Sequence, residues 1–180
     1  MQPLFTTARL RLTPATDADL DALWTLWKDP LVRRYLWDDV EIERERALET
    51  LRDAAALAPR GLGLWTIVLA DDSCPFIGCA ALLPVGASAE YYPPLAGAIE
   101  PLIALVPEFW HRAYAQEALA ALIEHAIDTL RLDRLVAVAD TPNEASQALL
   151  GRLGFVFRAE TDGPHHRLRH FTLEGKRGAR

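Results

Sequence analysis

Polar and apolar positions alternate over Arg9-Leu10-Arg11-Leu12-Thr13, the period of a half-buried strand. The period then changes. Leu20, Leu23, Trp24 and Trp27 recur at helical spacing behind Thr16 and Asp17, either of which suits a cap, until Asp29-Pro30 stops the pattern. From about Val40 to Ala58 the chain is rich in glutamate, arginine and alanine, which predicts a mostly solvent-facing helix ending before Pro59 and Gly61. Trp65 to Leu69 and Phe76 to Leu83 are apolar runs separated by Asp71-Asp72-Ser73, a hairpin pattern. Gly86 to Pro94 reads as loop, and Ile99 to Val106 as a strand. Pro101 within that strand cannot donate to a ladder and implies a bulge or a splayed edge.

The strongest periodicity follows. Ala115, Ala118, Leu119, Leu122, Ile123, Ala126, Ile127 and Leu130 step by three and four, which puts one apolar stripe on a long helix. Leu135 to Ala139 is a short β-type run. Asn143 stands at a cap position just after Pro142 and opens a helix through Ala145, Ala148, Leu149 and Leu153 that ends at Gly154. Phe155 to Phe157 and His170 to Leu173 are closing strands. The order predicts a mixed α+β fold with one strand-helix-strand unit late in the chain.

Length and composition narrow the class. A chain of 180 residues suits a single domain, 1–180, whose core needs no disulfide or metal staple. Cys74 and Cys79 have no second cysteine pair to complete a zinc site and read as small apolar thiols. His165 and His166 lack further ligands and read as solvated turn residues, and His125 as a polar-side residue of the long helix. A charged fraction of 24% beside a hydrophobic fraction of 51% excludes a disordered chain. The longest nearly apolar stretch, Phe76 to Ala87, is broken by Pro84 and Gly86 and falls short of a membrane span. The start, Met1-Gln2-Pro3-Leu4-Phe5-Thr6, lacks the blocks of a signal peptide, so a cytoplasmic protein is expected. The net charge is −6 and the one basic cluster is the tail Lys176, Arg177, Arg180, which argues against nucleic acid as a ligand and mildly favours cationic ones.

Candidate chemistry sits between Val106 and Ala115, where a strand feeds the long helix. The unpaired amides of a helix's first turn and its dipole attract anions, Arg112 adds charge, and Ala113 and Ala115 allow close approach. On these features alone, packing and phosphate binding both remain open.

The run Phe109-Trp110-His111-Arg112-Ala113-Tyr114-Ala115-Gln116-Glu117-Ala118, followed by Asn143-Glu144-Ala145-Ser146 and Leu149-Leu150-Gly151-Arg152-Leu153-Gly154-Phe155, resembles the GNAT superfamily of acyl-CoA-dependent N-acyltransferases. Thr7 to Leu12, Asp17 to Leu20, Asp29-Pro30, Tyr35-Leu36-Trp37 and Phe76-Ile77-Gly78 are similar to its RimJ/RimL branch, which acetylates protein amino termini and includes small-molecule relatives. The resemblance implies a mostly antiparallel central sheet with helices on both faces and a splayed central strand pair. It implies acetyl-CoA as cosubstrate without a metal, and an amine acceptor, either a protein N-terminus or a small molecule. No nucleic-acid or membrane partner is expected, and the state is monomer or homodimer.

The same resemblance assigns residues. Leu105, Val106, His111, Arg112, Ala113, Tyr114, Ala115, Asn143 and Ser146 would hold the cofactor, with an amide of the Ile103 to Val106 strand meeting the acetyl carbonyl. Glu100 is the candidate base, directly or through a water; its alternative is a solvated edge carboxylate. Ser146 would donate to the leaving sulfur or hold the pantetheine arm, and Tyr35, Trp37 and Tyr91, with Tyr92, would wall the acceptor pocket. Glu117 would favour the helix amino terminus.

Two departures stand out. The family has glycine where this chain has His111 and Ala113, a change that is acceptable in right-handed backbone and harmful at positive φ. Leu150 replaces a tyrosine that acts as general acid in many members. These departures make a catalytically degenerate binding module an alternative reading, and the acidic charge with an aromatic loop makes an antibiotic-modifying acetyltransferase another.

Overall fold

The structure is a computed structural model that describes residues 2–71, 75–86 and 88–175. Asp72 and Ser73 of the expected hairpin turn, Cys74, and the basic tail Lys176, Arg177 and Arg180 lie outside the described residues. The chain runs β1 (Phe5–Thr6), β2 (Leu10–Pro14), α1 (Leu20–Lys28), α2 (Pro30–Leu36), α3 (Arg44–Ala55), β3 (Gly63–Leu69), β4 (Phe76–Pro84) and α4 (Ser88–Tyr91). It continues through β5 (Ile99–Leu105), α5 (Tyr114–Glu124, extended by a π turn His125–Thr129), β6 (Arg134–Asp140), α6 (Glu144–Arg152), β7 (Val156–Asp162) and β8 (Arg167–Glu174).

The strands form one sheet in the order β1-β2-β3-β4-β5-β6-β8-β7. Every neighbouring pair is antiparallel except β5 and β6, which run parallel and pair only at Ile99 and Leu135. This is the mixed, mostly antiparallel α+β fold expected, with its splayed central pair.

Alternation along the strands sorts side chains onto two faces. Trp65, Ile67, Ile77, Ala80, Leu82, Ile99, Leu105, Leu135, Ala137 and Phe171 pack under α5 and α6, against Ala118, Leu119, Leu122 and Leu150. Leu64, Cys79, Ala81 and Ala104 face the other way and pack under α1, α2 and α3. Helices therefore cover both faces. Cys79 is a buried apolar thiol as expected, its pKa pushed up to about 12 by burial. Among the described residues no helix is long and apolar enough to cross a membrane.

Several local expectations change. Asp29-Pro30 ends one helix and also starts the next: the Asp29 side chain accepts from the Leu31 amide at 2.8 Å, and Pro30 occupies the first turn, where its missing N–H costs nothing. The following helix begins at Arg44, not Val40, and Gly86 to Pro94 contains the short α4. The closing strands are longer than their apolar runs, because β7 and β8 pair through polar residues from Glu160 to Asp162. His125 is buried, not on a polar side. Three residues after Leu122, it flanks the apolar stripe, where its Nε2 lies 3.0 Å from the Gly61 carbonyl and its ring meets Phe5 edge-on. His165 and His166 are exposed in the β7–β8 turn, as expected.

Candidate active site

The gap between β5 and β6 follows from register. Val106 N donates to Ile77 O and Val85 N to Ala98 O, so the even-numbered residues of β5 bond β4. The odd-numbered residues Ile99, Pro101, Ile103 and Leu105 therefore turn their backbone groups toward β6. Pro101 has no N–H to offer there, and the ladder ends after Ile99. The strand splays at this proline without a bulge against β4.

Two amides, those of Ile103 and Leu105, are left pointing into the gap. Val106 is different from the expected pair: its N–H is committed to Ile77 O at 2.9 Å, so only Leu105 of the two can present an amide there. The Leu105 carbonyl is taken by the Trp110 indole N–H at 2.7 Å. That bond closes the turn leaving β5 and gives the Leu105 carbonyl its donor.

The turn then enters α5 through two left-handed residues, His111 (φ 59°) and Ala113 (φ 62°). Of the two backbone alternatives for these glycine replacements, the strained one is realised, at roughly 1–2 kcal/mol per residue. Among the described residues, none of the amides from His111 to Gln116 donates a hydrogen bond, and left-handed turns of this kind gather such amides into an anion-binding concavity. Arg9 holds this loop from outside. Its Nη1 donates to the Arg112 carbonyl at 3.1 Å, its guanidinium lies 4.5 Å from the Tyr114 ring centre, and its Nη2 pairs with Glu117 at 2.6 Å. Glu117 also accepts from the Thr7 hydroxyl at 2.6 Å and the Arg9 amide at 2.8 Å. Burial pushes the Glu117 carboxyl up, but these bonds outweigh it and hold the group below the usual range. Glu117 thus clamps the β1–β2 turn to the first turn of α5, a tie that its position in the sequence did not reveal.

Glu100 is not a solvated edge carboxylate. It is 8% exposed and accepts from the Val138 amide of β6 at 2.7 Å, reaching across the gap. Burial raises its pKa to about 7, with the Val138 bond working in the opposite direction. Alternation puts Glu100 on the α1–α3 face of the sheet, with Leu102 and Ala104. Val138 and its register partner His170 share that face, since their neighbours Ala137 and Phe171 pack on the other.

The remaining candidates divide. Asn143 caps α6, its Oδ1 accepting from the Ser146 amide at 3.1 Å, which puts Ser146 in the first turn of that helix. Tyr35 leans from α2 across to the β6–α6 turn, its hydroxyl 3.4 Å from the Pro142 carbonyl and its ring 6.5 Å from His166. Trp37 packs edge-on against Trp27, and its buried indole N–H has no partner among the described residues. Tyr91 is 40% exposed; its neighbour Tyr92, not Tyr91, turns inward and stacks on the His170 ring at 4.7 Å. Half-buried Asp140, at the end of β6, is raised by burial and by Asp38, with His166 opposing.

Amides bare at a helix start suit an anion, and the strand pair held open beside them, with a buried carboxylate at the gap, leaves backbone donors free for an extended ligand. Comparison with known proteins shows the family. A family model described as an acetyltransferase (GNAT) domain matches residues 9–156. The chain is 30% identical over 158 residues to the uncharacterized N-acetyltransferase YoaA of Bacillus subtilis (strain 168), covering 86% of this chain and 84% of that one. A putative GNAT-family acetyltransferase from Bordetella pertussis has the same fold, with a TM-score of 0.82 at 20% identity over 95% of this chain and 99% of that one. So do RimL, the ribosomal L7/L12 alpha-N-protein acetyltransferase in complex with coenzyme A (0.77, 17%, 96% and 98%), and spermidine N-acetyltransferase from Vibrio cholerae in complex with CoA and spermine (0.73, 16%, 93% and 96%).

Proposed function

Because the chain belongs to the GNAT acetyltransferase family and is an acyl-CoA-dependent acetyltransferase, we propose that its acceptor is a primary amine of low basicity, a protein N-terminus or an α-amino small molecule, with Glu100 as the base. Bound acetyl-CoA supplies an activated acyl carbon and a thiolate leaving group. The amides of His111 to Gln116 hold its diphosphate, and the Ile103 and Leu105 amides, fixed before any ligand arrives, hydrogen-bond the arm and the acyl oxygen. In this reading Ser146, in the first turn of α6, donates a proton to the departing sulfur, a part that Leu150 cannot play from within the core.

The observation that carries this reading is the state of Glu100. A carboxylate whose pKa is about 7 is matched to an α-ammonium group near 8: the transfer is uphill by about one pH unit, roughly 1.4 kcal/mol, against some 4–5 kcal/mol for an alkyl ammonium near 10.4. The neighbours' acceptors, a protein α-amine in one case and a polyamine in the other, span this choice.

Thiol release from acetyl-CoA, followed with serine- and alanine-initiated peptides, amino-acid amides and alkyl diamines, tests the reading. Faster turnover of the α-amines supports it, and preference for the diamines overturns the acceptor assignment. A binding module without turnover is the competing reading, favoured by the left-handed His111 and Ala113 and the missing tyrosine. Cofactor binding with no CoA release from any amine selects it.

A further inference from the structure

The described strap over the β6–β8 half of the Glu100 face runs from residue 88 to residue 96, between Gly86 and Gly97. A Cβ at either glycine would meet nothing within 4 Å, Gly97 is left-handed (φ +73°), and one backbone bond closes each end, Ala89 N–H to Gly86 O at 3.1 Å and Ala98 N–H to Leu95 O at 3.0 Å. Among the described residues three side-chain contacts fasten it. Leu95 is buried, the Arg134 guanidinium donates to the Pro94 carbonyl at 3.0 Å, and Tyr92 stacks on His170 at 4.7 Å with the rings 25° from parallel.

The last of these lies over the candidate chemistry. His170 pairs in register with Val138, and the Val138 amide is the one that holds Glu100. His170 is completely buried; its Nε2 meets the Thr161 hydroxyl at 2.8 Å, whereas its Nδ1 has no partner among the described residues. An enclosed, unpaired nitrogen opposes the closed arrangement, and the ring stack favours it. The Tyr92–His170 contact thus combines a favourable stack with an unfavourable unpaired nitrogen.

We propose that His170 is a positioning residue of the acceptor pocket: through Tyr92 it latches the 88–96 strap over the Glu100 face, where the strap forms the wall against which the acceptor amine is held. The inference rests on Glu100 marking the acceptor side. Displacement of Tyr92 lets an acceptor in and opens Nδ1 to solvent, and re-stacking brings the wall back beside the amine.

Hydrogen exchange tests the latch without any acceptor. The amides of Ala89 and Ala98 bond across the two ends of the strap, to Gly86 O and Leu95 O, and report its opening. H170A and Y92A should speed their exchange about fivefold or more while the α5 amides keep their protection, and H170F, which retains a flat ring, should stay close to wild type. With glycinamide and a serine-initiated hexapeptide as acceptors, H170A should raise the acceptor KM more than it lowers kcat, while the CoA dissociation constant stays put. Unchanged strap exchange in H170A, or equal acceleration throughout the sheet, would overturn the proposal. If CoA fails to bind even the wild type, the transferase reading falls while the exchange result still decides the latch.

Discussion

The Glu100 carboxylate and the Val138 amide, on two strands that pair at a single position, are joined by a 2.7 Å hydrogen bond across the gap between them. The bond keeps a buried acid where the two strands part. It satisfies one oxygen, and among the described residues no positive group pairs with the carboxylate, so burial dominates its titration.

Activity should follow that titration. Below pH 7 kcat/KM is expected to fall about tenfold per unit as Glu100 takes up a proton, with an apparent pKa of about 7. Glu100→Gln keeps an oxygen for the Val138 amide but cannot accept a proton, and should lower kcat by about 10²–10⁴ and flatten the acid limb. A pH series of thiol-release rates on both proteins checks this.

Stability should move the other way. A carboxyl whose pKa rises on folding favours the folded state while protonated, so its contribution declines from pH 4.5, the unfolded value, to about 7 and is flat above. The difference amounts to roughly 3 kcal/mol. Urea unfolding of Glu100→Gln should match wild type near pH 4.5 and exceed it at pH 8.

Ala113→Gly should stabilise the protein. Releasing an alanine from left-handed backbone recovers roughly 1–2 kcal/mol, and the greater freedom of unfolded glycine takes back up to about 1. Melting should rise by a few degrees and CoA should bind at least as tightly, since the amides keep their arrangement. Calorimetric melting and titration with CoA read both effects.

Glu117→Gln should weaken cofactor binding more than it weakens the fold. The lost pairing with half-exposed Arg9 is worth only about 1 kcal/mol, but Arg9 also steadies the Arg112 carbonyl inside the anion loop. A several-fold rise in the CoA dissociation constant with a small drop in melting temperature is the expected pattern.

Much of the architecture could be read from the residues because local pattern and long-range packing agreed there. The stripe from Ala115 to Leu130 and the alternation of Arg9 to Thr13 became α5 with its π turn and β2. Pro101 announced the splay, since a missing donor acts at its own position. What escaped depends on contacts remote in sequence. The clamp of Glu117 on Thr7 and Arg9 spans more than a hundred residues, and Tyr92 differs from Tyr91 only in which of them meets a histidine on β8. His125 misled because a helical wheel shows the flank of a stripe but not the Gly61 carbonyl waiting beside it. The burial of Glu100 was hidden likewise: both its strand and that of Val138 were legible, and the contact between them was not.

Pro101 has one more effect. Two neighbouring strands in a closed sheet normally zip together whenever nothing lies between them, so an empty crevice should be short-lived. Here a ring nitrogen faces the crevice where a hydrogen would be needed for zipping. Parting the two strands there therefore breaks one backbone hydrogen bond fewer than in an unbroken ladder.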